Sequence, residues 1–115
     1  MQDYTISTES AVGQRLDKLK DNDAISYLTF KNSKVDISVG KITIGRAPGN
    51  NIVVDSKLAS RNHAIIQKIK DAFFLKDCNS TNGTFLNGTK IPADKYIRIH
   101  SGDKITIGND NVVMF

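Results

Sequence analysis

Four short polar clusters hold the residues of this chain best suited to chemistry: Gly45-Arg46, Ser60-Arg61-Asn62-His63, Ser80-Thr81-Asn82-Gly83 and Asn87-Gly88. They offer two guanidinium groups, hydroxyls and side-chain amides, with no carboxylate among them. A set so rich in donors and positive charge suits an anion. Arginine presents five donors in a rigid fork, so Arg46, leaving the end of an apolar run, can grip a phosphate or pin the carbonyls of a bound chain. Ser60 and Thr81 add hydroxyls, and Arg61 adds a second guanidinium. Asn82 carries an amide that both donates to and accepts from a peptide main chain. Each cluster alone is an ordinary polar turn; only together, in loops on a rigid scaffold, do they read as a binding site.

The elements that must position them are strands. From Ala24 onward, short β-branched and aromatic runs alternate with Gly, Asn, Asp, Ser and Pro, and no helix-length periodic segment interrupts them. Strands are expected over Ile25–Phe30, Val35–Val39, Lys41–Ile44, Ile52–Val54, Ala64–Ile69 and Phe73–Asp77, then over Thr84–Leu86, Lys90–Ile91, Tyr96–Ile99, Lys104–Ile107 and Val112–Phe115. In Lys41-Ile42-Thr43-Ile44 and Lys104-Ile105-Thr106-Ile107 the isoleucines share one face, as a half-buried strand requires. Asn82-Gly83 and Asn87-Gly88 favour the positive φ of tight turns, and Gly108-Asn109-Asp110-Asn111 reads as the last hairpin connection. About eleven short strands in this length point to an all-β fold, a sandwich of two antiparallel sheets.

At 115 residues the chain fits one domain with its own core. Residues 1–23 form a polar N-terminal tail with a net charge of −2, leaving +6 on residues 24–115. In the tail, Val12, Leu16 and Leu19 follow i, i+4, i+7 behind caps at Thr8 or Ser10, a pattern for one short helix that Gly13 weakens. Its acidity beside a basic body has the sign for a weak autoinhibitory contact. The single cysteine, Cys78, forms no internal disulfide, and the apolar runs fall far short of the roughly 20 residues that cross a bilayer. An intracellular protein, cytoplasmic or nuclear, without membrane attachment is expected.

Ser60 and His63 stand three apart without a G-x-S-x-G elbow, so the pair gives no nucleophile geometry, and no enzyme activity is expected. Cys78, His63 and His100 lack the paired spacing of zinc ligands; Gly45 to Gly49 lacks the lysine and helix of a nucleotide loop. No metal or other cofactor is expected. The basic body makes nucleic acid the main rival ligand. Such a surface interleaves aromatics with cations on one sheet, whereas Phe73, Phe74, Phe85 and Tyr96 are spread as core residues would be.

The order Gly45-Arg46, Asn51-Ile52, Ser60-Arg61-Asn62-His63, Ser80-Thr81-Asn82-Gly83-Thr84, Leu86-Asn87-Gly88, then Gly102-Asp103 and Ile107-Gly108 resembles the forkhead-associated (FHA) domain. The resemblance runs from about Ile25 to Phe115. It implies an eleven-stranded β-sandwich whose loops at one end bind phosphothreonine in a partner protein, with a Ser/Thr kinase upstream, no nucleic acid, no membrane, and a monomeric state. Carried over by position, Arg46 contacts the phosphate or the adjacent backbone, and Ser60 gives its hydroxyl and backbone N–H. Arg61 and Thr81 add phosphate contacts, and Asn82 holds the peptide main chain. Gly45 permits a tight backbone turn, His63 braces the Ser60 loop, and Gly83, Asn87 and Gly88 shape neighbouring turns. Leu58, where some members carry an arginine that selects an acidic residue, points to an apolar or permissive subsite. Use of the fold as a phosphate-independent assembly surface would be signalled by loss of the arginine and serine, and both are present.

Overall fold

The computed structural model describes residues 27–38 and 40–115. The helix pattern at Val12, Leu16 and Leu19, and the ends of two expected strands at Ile25 and Val39, lie outside the described residues. The strands are β1 (Tyr27–Phe30), β2 (Ser33–Asp36), β3 (Lys41–Gly45), β4 (Ile52–Val53), β5 (Ala64–Ile69), β6 (Ala72–Asp77), β7 (Thr84–Leu86), β8 (Thr89–Lys90), β9 (Tyr96–Ile99), β10 (Lys104–Ile107) and β11 (Asp110–Met114). They form two sheets, one of six strands in the order β2-β1-β11-β10-β7-β8 and one of five in the order β9-β6-β5-β3-β4. The pairings are antiparallel except β3 with β4, where Ile44 stands opposite Ile52. That exception to the expected antiparallel sheets follows from the loop after Gly45, which carries the chain back to run alongside β3.

The facing surfaces of the two sheets make the core. Alternation along each strand sends Ile42, Ile44, Ile66 and Leu75 inward from one sheet and Leu28, Ile105, Ile107, Val112 and Met114 inward from the other. Complete burial of such a side chain is worth about 1.5–3 kcal/mol. Both isoleucine pairs legible in the sequence therefore lie inside.

Turn chemistry sets the boundaries. At β1–β2, Lys31 and Asn32 take φ of 50° and 65°, a type I′ geometry formed without glycine. Strand β2 therefore begins at Ser33 rather than Val35, and it ends at Asp36, whose Oδ1 accepts the Ser38 N–H at 2.8 Å. Asn87 and Gly88, with φ of 51° and 86°, make the same turn between β7 and β8. Gly108, at φ 60°, opens a two-residue turn, so Asp110 and Asn111 already belong to β11. Ile91 lies just beyond β8, its N–H donating to Thr84 O.

Candidate functional site

Three loops meet at one end of the sandwich: residues 46–51 after β3, 54–63 after β4, and 78–83 after β6. Their junction is a set of backbone bonds. The Arg46 N–H donates to Ser60 O at 2.9 Å and the Ala47 N–H to Arg61 O at 3.1 Å, closing the first loop on the second. The Thr81 N–H donates to Ser60 Oγ at 3.1 Å, closing the third on the second. Arg46, Ser60, Arg61 and Thr81 are thereby drawn together from positions up to 35 residues apart.

His63 joins the second and third loops from beneath. Its side chain is wholly buried. Nδ1 accepts the Ser60 N–H at 2.9 Å and Nε2 lies 2.9 Å from Gly83 O. A neutral ring protonated on Nε2 satisfies both contacts. The Ser60 N–H is thus committed to the imidazole, which corrects the expectation that it faces the anion; the hydroxyl is what Ser60 can offer. That hydroxyl already accepts from Thr81, leaving its own hydrogen to donate outward.

Arg46 is exposed, and its Nε donates to Ala59 O at 3.1 Å, leaving the terminal amino groups of the fork to act. Arg61 is also exposed, and its side chain makes no hydrogen bond or ion pair among the described residues. Asn82 Nδ2 donates to Leu58 O at 2.9 Å, so this amide braces the Leu58 loop and keeps Oδ1 for another donor. Asn87 works outside this cluster: it holds Asp103 Oδ1 and the Lys104 N–H, tying the β7–β8 turn to β10.

Gly45 acts through close approach rather than through a tight turn, since its φ is not positive. A Cβ there would collide with Arg61 O and sit 2.8 Å from Arg61 C, both backbone atoms. Gly45→Ala must push apart the two loops that hold Arg46 and Ser60, at a cost of about 3 kcal/mol measurable by chemical denaturation. Gly83, in contrast, does take a positive φ, 89°, with the Lys90 side chain lying across it.

Two positioning residues went unnoticed in the sequence. Asn50 Nδ2 donates to both Ala47 O and Arg61 O, a tertiary link that no local pattern announces. Asp77, 3% exposed, accepts from the Ser80 N–H, Ser80 Oγ and Thr84 Oγ1, fixing both ends of the third loop. The spacing Asp77-x-x-Ser80 is the legible signal, a carboxylate reaching a backbone N–H three residues on. Burial alone would raise the Asp77 carboxyl; the hydrogen bonds from Ser80 and Thr84 hold it below the ordinary 3.8. Because the folded value is the lower one, the ionised group contributes stability that is present above pH 3.8 and is lost as pH falls through the folded value. Asp77→Asn should cost about 1–3 kcal/mol at neutral pH. Denaturation curves taken at falling pH should show the gap between variant and parent closing in acid.

Burial pushes the Cys78 thiol up, which leaves it a poor nucleophile. Among the described residues no cluster of three or more His, Cys, Asp or Glu could hold a metal, and no helix is long and apolar enough to cross a membrane.

The β-sandwich thus gathers arginine, serine and threonine from three loops, with no acid in residues 45–51, 56–63 or 78–83. A family model described as the FHA domain matches residues 42–108, and the chain belongs to that family. It is 40% identical over 78 residues to an ABC transporter ATP-binding/permease protein of Mycobacterium tuberculosis, covering 68% of this chain and 9% of that protein. Mycobacterium tuberculosis EmbR, solved in complex with a low-affinity phosphopeptide, matches with a TM-score of 0.72 and 27% identity over 79% of this chain and 24% of its own. The MEK1 FHA domain, solved with a phosphothreonine peptide of HOP1, matches with a TM-score of 0.70 and 25% identity, over 77% of this chain and 93% of its own. This chain thus spans about a tenth of the transporter and about a quarter of EmbR.

Proposed function

We propose that this chain recognises phosphothreonine in a partner protein, with residues 24–115 as the binding body and no catalytic step of its own. The observation that supports the reading is the junction of Arg46, Ser60 and Thr81, whose hydrogen bonds leave the terminal amino groups of the Arg46 guanidinium and the Ser60 hydroxyl proton to donate to a ligand. A phosphothreonine brings between one and two negative charges and three acceptor oxygens near neutral pH. Two arginines and two hydroxyls can satisfy these without a metal. In this reading Arg46, Ser60, Arg61 and Thr81 take the phosphate, and Asn82 Oδ1 takes a main-chain N–H of an extended peptide. The partner is the product of a Ser/Thr kinase, and the module works as a monomer inside the cell. Calorimetric titration with a phosphothreonine peptide, its unphosphorylated twin and a random oligonucleotide tests it. Equal affinity for the first two would overturn the reading.

Leu58 sets the partner's sequence. It is 45% exposed beside the position a Cβ on Gly108 would take, and its loop is held by Asn82 and by Ser56 Oγ, which accepts the Leu58 N–H. An apolar side chain at this rim gives no reward to an acidic residue three places after the phosphothreonine. Leu58→Arg should create that preference, about fivefold for Asp over Leu, the scale of one partly exposed ion pair. A peptide-library screen of the parent showing strong Asp selection would contradict the assignment.

A further inference from the structure

The outer surface of the five-stranded sheet is a second candidate for binding, separate from the three loops. Two aromatics expected in the core lie here instead, since Phe73 takes the inward position on β6 and turns Phe74 out, while Tyr96 stands 43% exposed on the edge strand β9. Register puts Tyr96 opposite Lys76, and in the next row it puts Lys41 opposite Gln67, Gln67 opposite Phe74 and Phe74 opposite Arg98. Three cations and two aromatic rings thus share a face whose two rows contain no carboxylate.

The detailed contacts say what this face fits. Lys76 Nζ lies 5.2 Å from the Tyr96 ring centroid, the Tyr96 hydroxyl donates to Gln67 Oε1 at 3.0 Å, and Phe74 meets Tyr96 edge to face at 6.5 Å. A tyrosine capped by an ammonium and bonded through its hydroxyl is a poor platform for stacking a base. It is a good pillar for holding a positive charge above an apolar floor. Such a surface fits an acidic, partly apolar polypeptide.

One segment of this chain has that chemistry. Residues 1–23 carry Asp3, Glu9, Asp17, Asp21 and Asp23 against three bases, and Val12, Leu16 and Leu19 recur at helical spacing. Attachment at Tyr27 gives the segment a high effective concentration, and an extended chain of its length spans about 80 Å, so reach around the sandwich is not limiting. We infer that the face bearing Lys41, Lys76, Phe74, Tyr96 and Arg98 docks the acidic segment of residues 1–23 of the same chain. The face is built from strand residues and shares none with the set Arg46, Ser60, Arg61, Thr81 and Asn82, so the inference stands or falls independently of phosphothreonine recognition.

Zero-length carbodiimide coupling on the full chain, followed by peptide mass mapping, tests it. Carboxylates of residues 1–23 should join to Lys41 and Lys76 in about tenfold excess over Lys90 and Lys104, which lie on the other sheet. Arg98→Glu, which keeps both reporter amines and changes an exposed side chain, should cut that yield about fivefold, as should raising the salt to about 0.5 M. Even coupling to all four lysines, or an unchanged yield in Arg98→Glu, would overturn the docking. Links found only between isotopically distinct molecules would also overturn it, by showing a contact between copies. Protection of Lys41 and Lys76 by a short oligothymidylate, with no internal links, would assign the face to nucleic acid and equally defeat the proposal.

Discussion

Arg46→Ala should lower the affinity for a phosphothreonine peptide by about 100-fold or more while leaving the fold in place. The magnitude comes from charge-assisted bonds, each worth about 1.5–3 kcal/mol, of which a fork can make two to one phosphate. The structural cost is smaller, because the exposed side chain has one bond to lose, from Nε to Ala59 O. That bond is worth about 1 kcal/mol. Arg46→Lys separates charge from geometry. A lysine ammonium cannot hold Ala59 O and still present a planar pair of donors, so it should recover less than about tenfold of the loss. Calorimetry gives the affinities, and chemical denaturation verifies that each variant is folded. An Arg46→Ala protein binding within about threefold of the parent would remove the central contact from the proposed mechanism.

The contrast between Arg46 and Asn50 shows what the sequence could and could not reveal. Arg46 was legible because its chemistry is carried by residue type and by position after a strand. Asn50 was not, because its partner Arg61 O is eleven residues away and becomes adjacent only once β3 and β5 have paired. The same division runs through the fold. Strand β5, with its alternating burial, was readable to the residue, whereas β2 was misplaced because Lys31-Asn32 adopts a left-handed turn without the glycine that usually signals one. Ser60 illustrates a subtler limit. Its presence in the site could be read from spacing, but the commitment of its N–H to His63 is a matter of packing depth. Tyr96 and Phe74 were misjudged for a related reason. Adjacent phenylalanines at 73 and 74 must face opposite sides of a strand, and only the other strands decide which side is buried.

His63→Ala should be the most destabilising single change in the site, at about 4 kcal/mol. Removing a fully buried ring leaves a cavity, and it also leaves the Ser60 N–H without an acceptor and Gly83 O without its donor. Each of those orphaned groups costs about 1–3 kcal/mol on top of the cavity. Two milder variants separate the bonds. In His63→Asn the side-chain oxygen can stand where Nδ1 accepts from Ser60, but nothing reaches Gly83. In His63→Gln the amide nitrogen can stand where Nε2 donates to Gly83, but Ser60 loses its acceptor. If His63 serves recognition by fixing Ser60, His63→Asn should bind the phosphopeptide about tenfold more tightly than His63→Gln even where the two are equally stable. Measuring both at a temperature where each is fully folded isolates this effect from global unfolding. Equal affinities would mean that the imidazole supports the fold as a whole and not the Ser60 loop in particular. A cost below about 1 kcal/mol for His63→Ala would mean that the loops are held by their backbone bonds alone.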